Sequence, residues 1–324
     1  MTHIQLAHGG GGEESNELIS KIFKIFDNDI LDQANDAAII DDLAFSTDSF
    51  TLNPIFLDDE TNIGKLCVCG SINDILMVGA KPKYLSLALI IEEGFSIAKL
   101  DKILNSIKIE CTKAGVSLVC GDTKVVPRGK GDEIYINTSA IGKIIKKINT
   151  INIKPNSSII LSGDIGRHGA SVLAHRNELK ANIKSDCKCL KDEIIELLKE
   201  DINILALRDA TRGGLSAVLN EWAIKSGYDI LIHEENIKIQ KEVLGICELF
   251  GYEAFELANE GTFIACVDSK DAPKALNILK KYNSNASIIG EILENKKSQV
   301  ILQNAFKAKR FLELPKGELL PRIC

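Results

Sequence analysis

The stretch NIGKLCVCGSINDILMVGAKP, residues 62–82, decides how the first half of the chain is organised. Apolar residues recur at helical spacing from residue 63 to residue 79, which predicts a helix that Pro82 closes. The next residues, YLSLALII at 84–91, form a short apolar run that is typical of a buried strand. A helix followed directly by a buried strand predicts a unit in which helices pack on a sheet.

The flanking sequence adds further strands and helices to this unit. A helix is predicted over residues 18–26, with Ser15 as its N-cap, and an amphipathic helix over residues 97–114. Short strands are predicted at 37–40, 43–50, 116–120 and 134–141, and the last two bracket a glycine- and proline-rich loop at 127–131. We expect this first domain to span residues 1–150.

A second domain, residues 151–306, is expected after a polar linker at 149–158. Its predicted strands lie at 159–162, 229–233, 256–267 and 287–292, and its predicted helices at 170–176, 192–200, 215–226, 241–250 and 272–282. Residues 307–324 contain Pro315, Gly317 and Pro321, which resist helix and sheet, so we expect a mobile tail. The predicted fold class is α+β with two domains.

Composition argues against several classes of function. The 324 residues are 45% hydrophobic and 26% charged, the ordinary balance of a globular protein. A net charge of −6 argues against nucleic acid as a partner, because phosphate neutralisation needs clustered Lys and Arg. The longest apolar runs are far shorter than the ~20 residues of a membrane span, and the first residues lack a secretion-signal pattern. We therefore expect a cytoplasmic protein without a membrane partner.

The nine cysteines form no recognisable disulfide or metal pattern. Disulfides are rare in the cytoplasm. The pairs Cys67 with Cys69 and Cys187 with Cys189 lack the spacing and the histidines of zinc sites, which favours a structural role. Cys324, the last residue, is different, because an exposed free thiol is normally a liability. A use for this thiol is worth seeking, with accident as the competing explanation.

Aspartates stand next to small residues at several predicted loop positions. Magnesium prefers hard oxygen ligands and typically takes a few carboxylates together with the phosphates of a substrate. With Lys124 and Arg212 nearby in these segments, the pattern favours a site for a magnesium–nucleotide complex at Asp36, Asp48, Asp74, Asp122 and Asp209. For each aspartate taken alone, a turn or a helix cap is the competing interpretation.

Neither common phosphate-binding loop is present. The chain has no G-x-x-x-x-G-K-[ST] motif and no G-x-G-x-x-G motif after a predicted strand. The glycines at 9–12 are able to bring backbone N–H groups close to phosphates, and a flexible leader is the alternative interpretation. If ATP binds, a different architecture must hold it.

Six ordered segments resemble the HypE family of hydrogenase maturation factors. They span almost the whole chain and read NIGKLCVCGSINDILMVGAKP (62–82), VCGDTKVV (119–126), SGDIGRHGASVLAHRN (162–177), RDATRGGLSAVLNE (208–221), LANEG (257–261) and LPRIC (320–324). The internal segments resemble a superfamily of ATP-using enzymes that includes aminoimidazole ribonucleotide synthetase, selenophosphate synthetase and thiamine-phosphate kinase. The terminal Pro-Arg-Ile-Cys separates the HypE family from these relatives.

Three positions depart from the pattern of the family. Asn35 stands where an acidic residue is usual, so Asp36 carries any metal contact there alone. Residues 58–62 replace a glycine-rich stretch that ends in aspartate. Arg167 occupies a position that is more often acidic. These differences concern the details of the loops.

The resemblance implies an ATP-dependent carbamoyl dehydratase. In this family a carbamoyl group, carried as a thiocarboxamide on the terminal cysteine, is dehydrated to a thiocyanate that supplies cyanide ligands for the iron of nickel–iron hydrogenase. The implied cofactors are ATP and Mg²⁺. The implied partners are the carbamoyltransferase HypF as donor and the HypC–HypD iron scaffold complex as acceptor. The superfamily also implies a homodimer whose N-terminal sheets form a barrel across two subunits, with nucleotide near that interface, and a C-terminal α/β sandwich domain.

Matching the motifs residue by residue implies a role for each site residue. Cys324 is the carrier thiol, Glu260 the base, and Lys124 the partner of the transferring phosphate. The metal candidates are the five aspartates, and the implied nucleotide contacts are Asp36, Asp48, Asn73, Asp74, Gly121, Asp122, Thr123, Lys124, Asp209 and Arg212. Two alternatives stay open, namely that Glu260 caps a turn and that Arg212 pairs with Asp209 to hold its loop.

A terminal position suits a thiol that carries cargo. A group that is loaded at one enzyme, dehydrated at an internal site and unloaded at a third partner needs an arm, and residues 316–324 span ~30 Å when extended. A free cysteine thiol has a pKa near ~8.5. We expect the terminal carboxylate to raise the pKa of Cys324 and Arg322 to oppose that rise.

Two rival interpretations remain open from the sequence. One is another kinase or synthetase of the superfamily that acts on a free small molecule, in which case removing the last residue leaves turnover intact. The other is a non-catalytic thiol adaptor for metal-cluster assembly. An adaptor would not bind Mg-ATP, and Lys124→Ala or Glu260→Gln would change nothing.

Overall fold

The computed structural model describes residues 3–317, 320 and 322–324. It consists of two halves, each built from one mixed sheet with helices packed on it. The predicted α+β class is confirmed, whereas the domain limits and the mobility of the tail stay predictions. Among the described residues, no helix has both the length and the apolar character needed to cross a membrane.

The first half contains a five-stranded sheet and three helices. In chain order its elements are α1 (Glu13–Phe26), β1 (Ala38–Ile40), β2 (Leu43–Phe50), α2 (Ile63–Met77), β3 (Ala80–Glu92), α3 (Ile97–Ala114), β4 (Ser117–Val126) and β5 (Ile134–Ile144). The strand order is β1-β2-β5-β3-β4, and β3 pairs with β4 in parallel while the other neighbours are antiparallel. Strand β4 therefore lies at the edge of this sheet.

Helix α2 is the buried centre of the first half. The side chain of Asn62 caps its start, accepting hydrogen bonds from the backbone N–H groups of Gly64 at 2.8 Å and Lys65 at 3.3 Å. The helix stops before Gly79, whose φ of +77° favours glycine. Pro82 does not close the helix as predicted, because it lies inside β3 opposite Gly142. The turn at Gly79 ends the helix instead.

The second half contains a seven-stranded sheet with helices on its faces. Its elements are β6 (Ser157–Leu161), α4 (Arg167–Arg176), α5 (Lys191–Lys199), β7 (Ile204–Asp209), α6 (Gly214–Ser226), β8 (Ile230–His233), α7 (Lys241–Phe250), β9 (Phe263–Asp268), α8 (Ala272–Tyr282), β10 (Ser287–Ile292), β11 (Val300–Gln303) and β12 (Lys309–Phe311). The strand order is β12-β11-β8-β10-β6-β9-β7. Strand β12 corrects the expectation that the tail forms no sheet.

Helix α2 also joins the two halves, because it contacts β7 and α5 as well as its own sheet. The buried amide of Asn73 makes two hydrogen bonds across this junction. Its Nδ2 donates to the carbonyl of Lys188 at 3.1 Å, and its Oδ1 accepts from the backbone N–H of Leu190 at 3.0 Å. The segment 185–190 is therefore held against the first half.

Several predicted boundaries are wrong for local reasons. Helix α1 begins at Glu13 with Gly12 as its N-cap, and Ser15 instead donates from its hydroxyl to the His8 carbonyl at 2.9 Å. Strand β4 continues to Val126 because it pairs with β3 along this whole length. Strand β9 begins only at Phe263, because the residues before it form a hydrogen-bonded loop. Strands β7 and β11 were not predicted.

Candidate active site

Three aspartates from distant parts of the chain meet where the two halves join. Asp36 precedes β1, Asp74 lies in the last turn of α2, and Asp209 is the final residue of β7. Their carboxylate oxygens lie within 4.8 Å of one another. Within the described part of the chain, no other group of histidine, cysteine or acidic side chains is close enough to share a metal ion. We call these three residues the acidic cluster.

Burial makes the acidic cluster unfavourable without a cation. Burial raises the pKa of Asp36 to about 6 and that of Asp209 to about 8. Burial also raises the pKa of Asp74, and the charges of Asp209 and Asp36 raise it further. Carboxylates that share a buried site either take up protons or bind a metal ion. Mg²⁺ prefers carboxylate oxygens, so the residues present fit this ion.

Arg208 holds Asp36 in the acidic cluster. Its Nε lies 2.8 Å from Asp36 Oδ1, and its Nη2 lies 3.0 Å from Glu221 Oε2. Burial opposes the charge of Arg208, but the carboxylates of Asp36 and Glu221 raise its pKa above the ordinary value. The guanidinium therefore stays charged and fixes the Asp36 carboxylate by a charge-assisted hydrogen bond.

The last residue of the chain lies near this cluster. Cys324 is half-buried, and its carbonyl oxygen accepts hydrogen bonds from the backbone N–H of Thr51 at 2.7 Å and from Thr51 Oγ1 at 3.2 Å. Burial raises the pKa of its thiol to about 12; the positive charge of Arg212 opposes this rise, while Glu260 and Asp48 reinforce it. The thiol is therefore close to the charged groups at the centre of the site.

The rest of the terminal segment, by which we mean residues 322–324, is also hydrogen-bonded to the body of the protein. Arg176 donates from Nη2 to the carbonyl of Arg322 at 2.9 Å and to the carbonyl of Asn53 at 2.8 Å. The carbonyl of Ile323 accepts a hydrogen bond from His168 Nε2 at 2.7 Å. These contacts place Cys324 at one defined position.

Arg322 is not among the groups that most influence the pKa of Cys324, contrary to the part that the sequence predicts for it. The positive charge that lowers this pKa against the effect of burial is that of Arg212. The Arg322 side chain instead donates from Nε to the carbonyl of Thr51 at 2.8 Å and forms an ion pair with Asp132. Its role in the structure is to hold the terminal segment.

Glu260 lies in a rigid loop between α7 and β9. Its backbone N–H donates to Asp186 Oδ1 at 3.2 Å, and the N–H of Gly261 donates to Asp186 Oδ2 at 3.0 Å. Asn259 fixes the same loop, since its Oδ1 accepts from the Gly166 N–H at 2.6 Å and its Nδ2 donates to the Ala210 carbonyl at 3.0 Å.

The carboxyl group of Glu260 is buried and incompletely satisfied. The residue is 3% exposed, and its Oε1 has no hydrogen-bond partner within the described residues. Burial raises its pKa well above the ordinary value, and Asp209 and Asp48 raise it further. Because Oε1 accepts no hydrogen bond, it does not cap a turn, which was the alternative interpretation of Glu260. A buried, unpaired carboxyl oxygen is instead common in functional sites.

Asp48 and Arg212 complete the surroundings of the thiol. Asp48 lies in β2; burial raises its pKa and Arg212 lowers it. Among the groups that raise the pKa of Arg212, Cys324 comes first, followed by Asp48 and Glu260, and Asp209 is not among the largest. The role of Arg212 at the thiol stays a prediction.

Four predicted nucleotide contacts lie outside this arrangement, on the edge strand β4. They are Gly121, Asp122, Thr123 and Lys124. The side chains of Asp122 and Lys124 are 61% and 68% exposed and pair at 3.0 Å, which lowers the pKa of Asp122. Gly121 permits close packing, because a Cβ there would lie 2.2 Å from the carbonyl oxygen of Leu87. Neither charged group is among those that most influence the acidic cluster.

The expectation that the aspartates occupy loops is wrong for four of them. Asp48 lies in β2, Asp74 in α2, Asp122 in β4, and Asp209 is the last residue of β7. In α2, successive residues point about 100° apart around the helix axis. Asn73 therefore contacts the second half while Asp74 joins the acidic cluster.

The positions that depart from the family pattern have local partners. Arg167 Nε lies 2.9 Å from the buried Asp164 carboxylate, so its charge is compensated within α4 and the turn before it. Asp58 Oδ1 accepts from the backbone N–H of Thr61 at 2.6 Å, which closes the loop that lacks glycines. The amide of Asn35 lies 3.5 Å from Gln33 Oε1 and is no replacement for an acidic group.

Two of the four glycines at 9–12, Gly11 and Gly12, pack closely against other parts of the protein. A Cβ on Gly11 would lie 2.6 Å from the Arg212 carbonyl oxygen, and its φ of +80° also favours glycine. A Cβ on Gly12 would lie 2.3 Å from the carbonyl oxygen of Pro315. The leader is thus held between the Arg212 loop and the C-terminal segment.

Three residues that organise the site were not predicted from the sequence. Arg208 adjoins Asp209 in a quoted motif, and this adjacency was the available signal. His168 also lies in a quoted motif, but its contact with Ile323 joins residues 155 positions apart. Asp186 stands in a segment without periodicity, so no local pattern indicates its bonds to the Glu260 loop.

Two sequence-family models match successive parts of the chain. Residues 34–144 match the N-terminal domain of AIR synthase related proteins, and residues 154–303 match their C-terminal domain. The carbamoyl dehydratase HypE of Escherichia coli is 38% identical over 340 residues, covering 100% of both chains. The carbamoyl dehydratase HypE of Rhodobacter capsulatus is 37% identical and covers 99% of this chain and 98% of that protein.

Solved structures of HypE proteins share the fold. HypE in a HypE–HypF complex superposes with a TM-score of 0.88 at 40% identity, over 92% of this chain and 99% of that chain. HypE in complex with ATP superposes with a TM-score of 0.84 at 37% identity, over 99% and 100% of the two chains. Thiamine monophosphate kinase of Aquifex aeolicus, at 18% identity and a TM-score of 0.68, shares the fold alone. The chain therefore belongs to the carbamoyl dehydratase HypE family of AIR synthase related proteins.

Proposed function

We propose that this protein uses ATP to dehydrate a carbamoyl group carried on Cys324, giving a thiocyanate that supplies cyanide for the iron of nickel–iron hydrogenase. The observation that carries the proposal is the position of Cys324, whose carbonyl is hydrogen-bonded to Thr51 and whose thiol is influenced by the charges of Arg212, Glu260 and Asp48. The named activity of the relatives supports the same chemistry.

The chemistry needs positioning and charge neutralisation more than reactive side chains. The carboxamide oxygen is a poor leaving group, so it first displaces ADP from the terminal phosphoryl group of ATP and becomes a phosphate ester. Loss of phosphate then breaks the C–O bond while both N–H hydrogens leave as protons, and the C≡N bond forms. ATP and the thiocarboxamide thus give ADP, phosphate and the thiocyanate. Holding the two reactants in line supplies much of the rate in such a step.

Glu260 is the proposed base for the N–H protons. Its carboxyl group is buried, its Oε1 is unpaired, and its pKa is raised well above the ordinary value. A base is most effective when its pKa lies near the working pH, so this environment suits proton removal better than an exposed carboxylate would. The hydrogen bonds from Glu260 and Gly261 to Asp186 keep the backbone of this base fixed.

The acidic cluster is the proposed site for Mg²⁺. Asp36, Asp74 and Asp209 would hold the ion, with Asp48 and Asp122 as further candidate contacts. When bound there, Mg²⁺ neutralises charge on the phosphates of ATP. Arg208 fixes the orientation of Asp36, and Arg212 contributes a positive charge on the thiol side.

Lys124 is proposed to contact the transferring phosphate in a homodimer. Strand β4 is an exposed sheet edge, and Leu118, Val119 and Val125 on it are 49%, 57% and 68% exposed. An exposed, apolar sheet edge favours pairing with another chain. Pairing with a second copy would extend the five-stranded sheet toward the barrel that the superfamily resemblance implies. Gly121, Asp122, Thr123 and Lys124 would then face the interface.

The proposed partners follow from the route of the carbamoyl group. HypF is the proposed donor, and the HypE–HypF complex among the similar structures supports this choice. The HypC–HypD complex is the proposed acceptor of cyanide, in the cytoplasm. Both transfers require Cys324 to leave its position in the site, so a mobile tail at 307–324 is part of the proposal. The domain limits 1–150 and 151–306 are proposed as well.

Mass spectrometry of the C-terminal peptide tests the proposed function. After incubation with HypF and a carbamoyl donor, the Cys324 peptide should gain the mass of one carbamoyl group. Addition of Mg-ATP should then remove the mass of one water from that peptide. The Cys324→Ser variant should show no ATP-dependent loss. Persistent loss of water in that variant, or turnover of a free carbamoyl compound by it, would overturn the proposal and favour another enzyme of the superfamily.

A further inference from the structure

One buried histidine contacts both the terminal segment and the chain segment that supports Glu260. His168 lies in α4 and is completely buried. Its Nε2 is 2.7 Å from the carbonyl oxygen of Ile323, and its Nδ1 is 2.8 Å from the hydroxyl of Ser185. No step of the proposed reaction uses this side chain.

The two hydrogen bonds of His168 define its tautomer. A carbonyl oxygen only accepts, so Nε2 carries the hydrogen and donates to Ile323. Ser185 Oγ already accepts from the backbone N–H of Cys187 at 3.0 Å, so its hydroxyl hydrogen is free to donate to Nδ1. This arrangement needs a neutral imidazole, and burial lowers the pKa of His168, which favours that form.

The segment 185–188 carries this contact to the Glu260 loop. Asp186, next to Ser185, accepts from the backbone N–H groups of Glu260 and Gly261 at 3.2 and 3.0 Å. The N–H of Lys188 donates to the Glu260 carbonyl at 3.3 Å. Hydrogen bonds, together with the backbone between Ser185 and Asp186, therefore connect Ile323 through His168 to Glu260.

We propose that His168 is a positioning residue that docks the terminal segment through the Ile323 carbonyl and, through Ser185, keeps the Glu260 loop aligned with the docked Cys324. The docking part stands on the contacts of His168 alone. The alignment part rests on the proposed function, because it assigns Glu260 as the base. A single neutral hydrogen bond contributes little net stability, so it holds the segment while leaving it free to detach.

Two amide variants separate the roles of the two ring nitrogens. In His168→Gln the amide reaches the position of Nε2 and keeps a donor for Ile323, whereas in His168→Asn it reaches only the position of Nδ1. The test is the rate at which iodoacetamide alkylates Cys324, followed by peptide mass spectrometry without ATP or carbamoyl donor. We expect alkylation to be about threefold to tenfold faster in His168→Asn and within about twofold of the wild type in His168→Gln.

Cys266 provides the internal control for unfolding, because it is fully buried in β9 and should stay unmodified in both variants. Equal Cys324 rates in His168→Asn and His168→Gln, with Cys266 protected, would overturn the docking role. Labelling of Cys324 at the rate of the wild type in both variants would overturn it as well.

Ser185→Ala tests the alignment role separately. This variant keeps the bond to Ile323, so Cys324 alkylation should stay within about twofold of the wild type. The rate of dehydration at saturating ATP should fall about threefold to tenfold, while the KM for ATP stays unchanged. An unchanged rate would overturn the alignment role. If the wild type makes no thiocyanate at all, the proposed function fails, but the alkylation result still decides the docking role.

Discussion

Asp209 in the acidic cluster and Asp122 on β4 are the same residue type beside small neighbours, yet their surroundings give them opposite properties. Burial raises the pKa of Asp209 to about 8, whereas the hydrogen bond with Lys124 lowers the pKa of the exposed Asp122. The cluster is assembled from both halves within one chain, while β4 remains an open edge. Burial and partners, rather than the motif, decide which aspartate is ready to bind a cation.

The largest expected effect is that of changing Glu260, the proposed base, which is buried like Asp209. Glu260→Gln should lower the rate of ATP-dependent dehydration about 10²- to 10⁴-fold, because the amide cannot accept the N–H proton. Single-turnover mass spectrometry of the Cys324 peptide measures this rate. The matched control is Glu242→Gln on the exposed face of α7, which should stay within about twofold. Equal rates in the two variants would remove Glu260 from the mechanism.

Neutralising one carboxylate of the acidic cluster should weaken the proposed binding of Mg²⁺. Because changing groups that merely support metal ligands already costs about 10- to 100-fold in affinity, Asp209→Asn should weaken Mg²⁺ binding at least about tenfold. Asp42→Asn, in the exposed turn between β1 and β2, is the control and should leave the affinity unchanged. Titration calorimetry measures both. Unchanged affinity in Asp209→Asn would place the metal elsewhere.

Because of the acidic cluster, the affinity for Mg²⁺ should rise with pH, whereas the stability of the metal-free protein should fall. Between the ordinary carboxyl pKa near ~4 and the folded values of about 6 for Asp36 and about 8 for Asp209, the folded cluster holds more protons than the unfolded chain. Without metal, the stability from this cluster is therefore lost progressively as pH rises from ~4 through the folded values of about 6 and about 8. Mg²⁺ affinity should instead increase over that range, because protons compete for the carboxylates.

Thermal denaturation with Mg²⁺ or with a chelator at several pH values checks both signs. The stabilisation by Mg²⁺ should grow from pH 6 to pH 8.5 in the wild type and should be much smaller in Asp209→Asn. A Mg²⁺ effect that is constant over this pH range would contradict a cluster with raised pKa values.

The smallest expected effect is on stability and concerns the packing of Gly121 in the exposed strand β4. Gly121→Ala should lower the free energy of unfolding by about 1–3 kcal/mol, because its Cβ would meet the Leu87 carbonyl and push β4 from β3. Gly245→Ala inside α7, where a Cβ meets nothing within 4 Å, should instead stabilise the protein by about 0.5–1 kcal/mol. Denaturant unfolding measures both. The same sign in both variants would show that Gly121 is not needed for close packing.

The sequence predicts amphipathic elements well and buried or polar strands poorly. Helices α3, α7 and α8 begin and end at the predicted residues because one face of each is apolar and the other polar. Strand β7 is buried on both faces, so its sequence ILALRD lacks the alternation that marks a strand. Strand β12, with the sequence KRF, lies at a sheet edge and has no apolar pattern at all.

The residues of the site were likewise easier to predict than the contacts between them. The aspartates and Glu260 were recognised because motifs carry them, and the position of Cys324 at the end of the chain marked it. The contacts that arrange them join distant residues, such as Asp186 with Glu260 across 74 positions. Such pairings depend on how the two halves pack, and no local pattern in a single sequence indicates them.

The most direct test of the proposed function is the stoichiometry of ADP release from protein that carries a carbamoyl group on Cys324. In a single turnover with Mg-ATP, we expect one ADP for each thiocyanate formed, and almost no ADP from protein with a free thiol. ADP release at the same rate with or without the carbamoyl group would contradict the claim that Cys324 delivers the substrate to the buried acidic cluster.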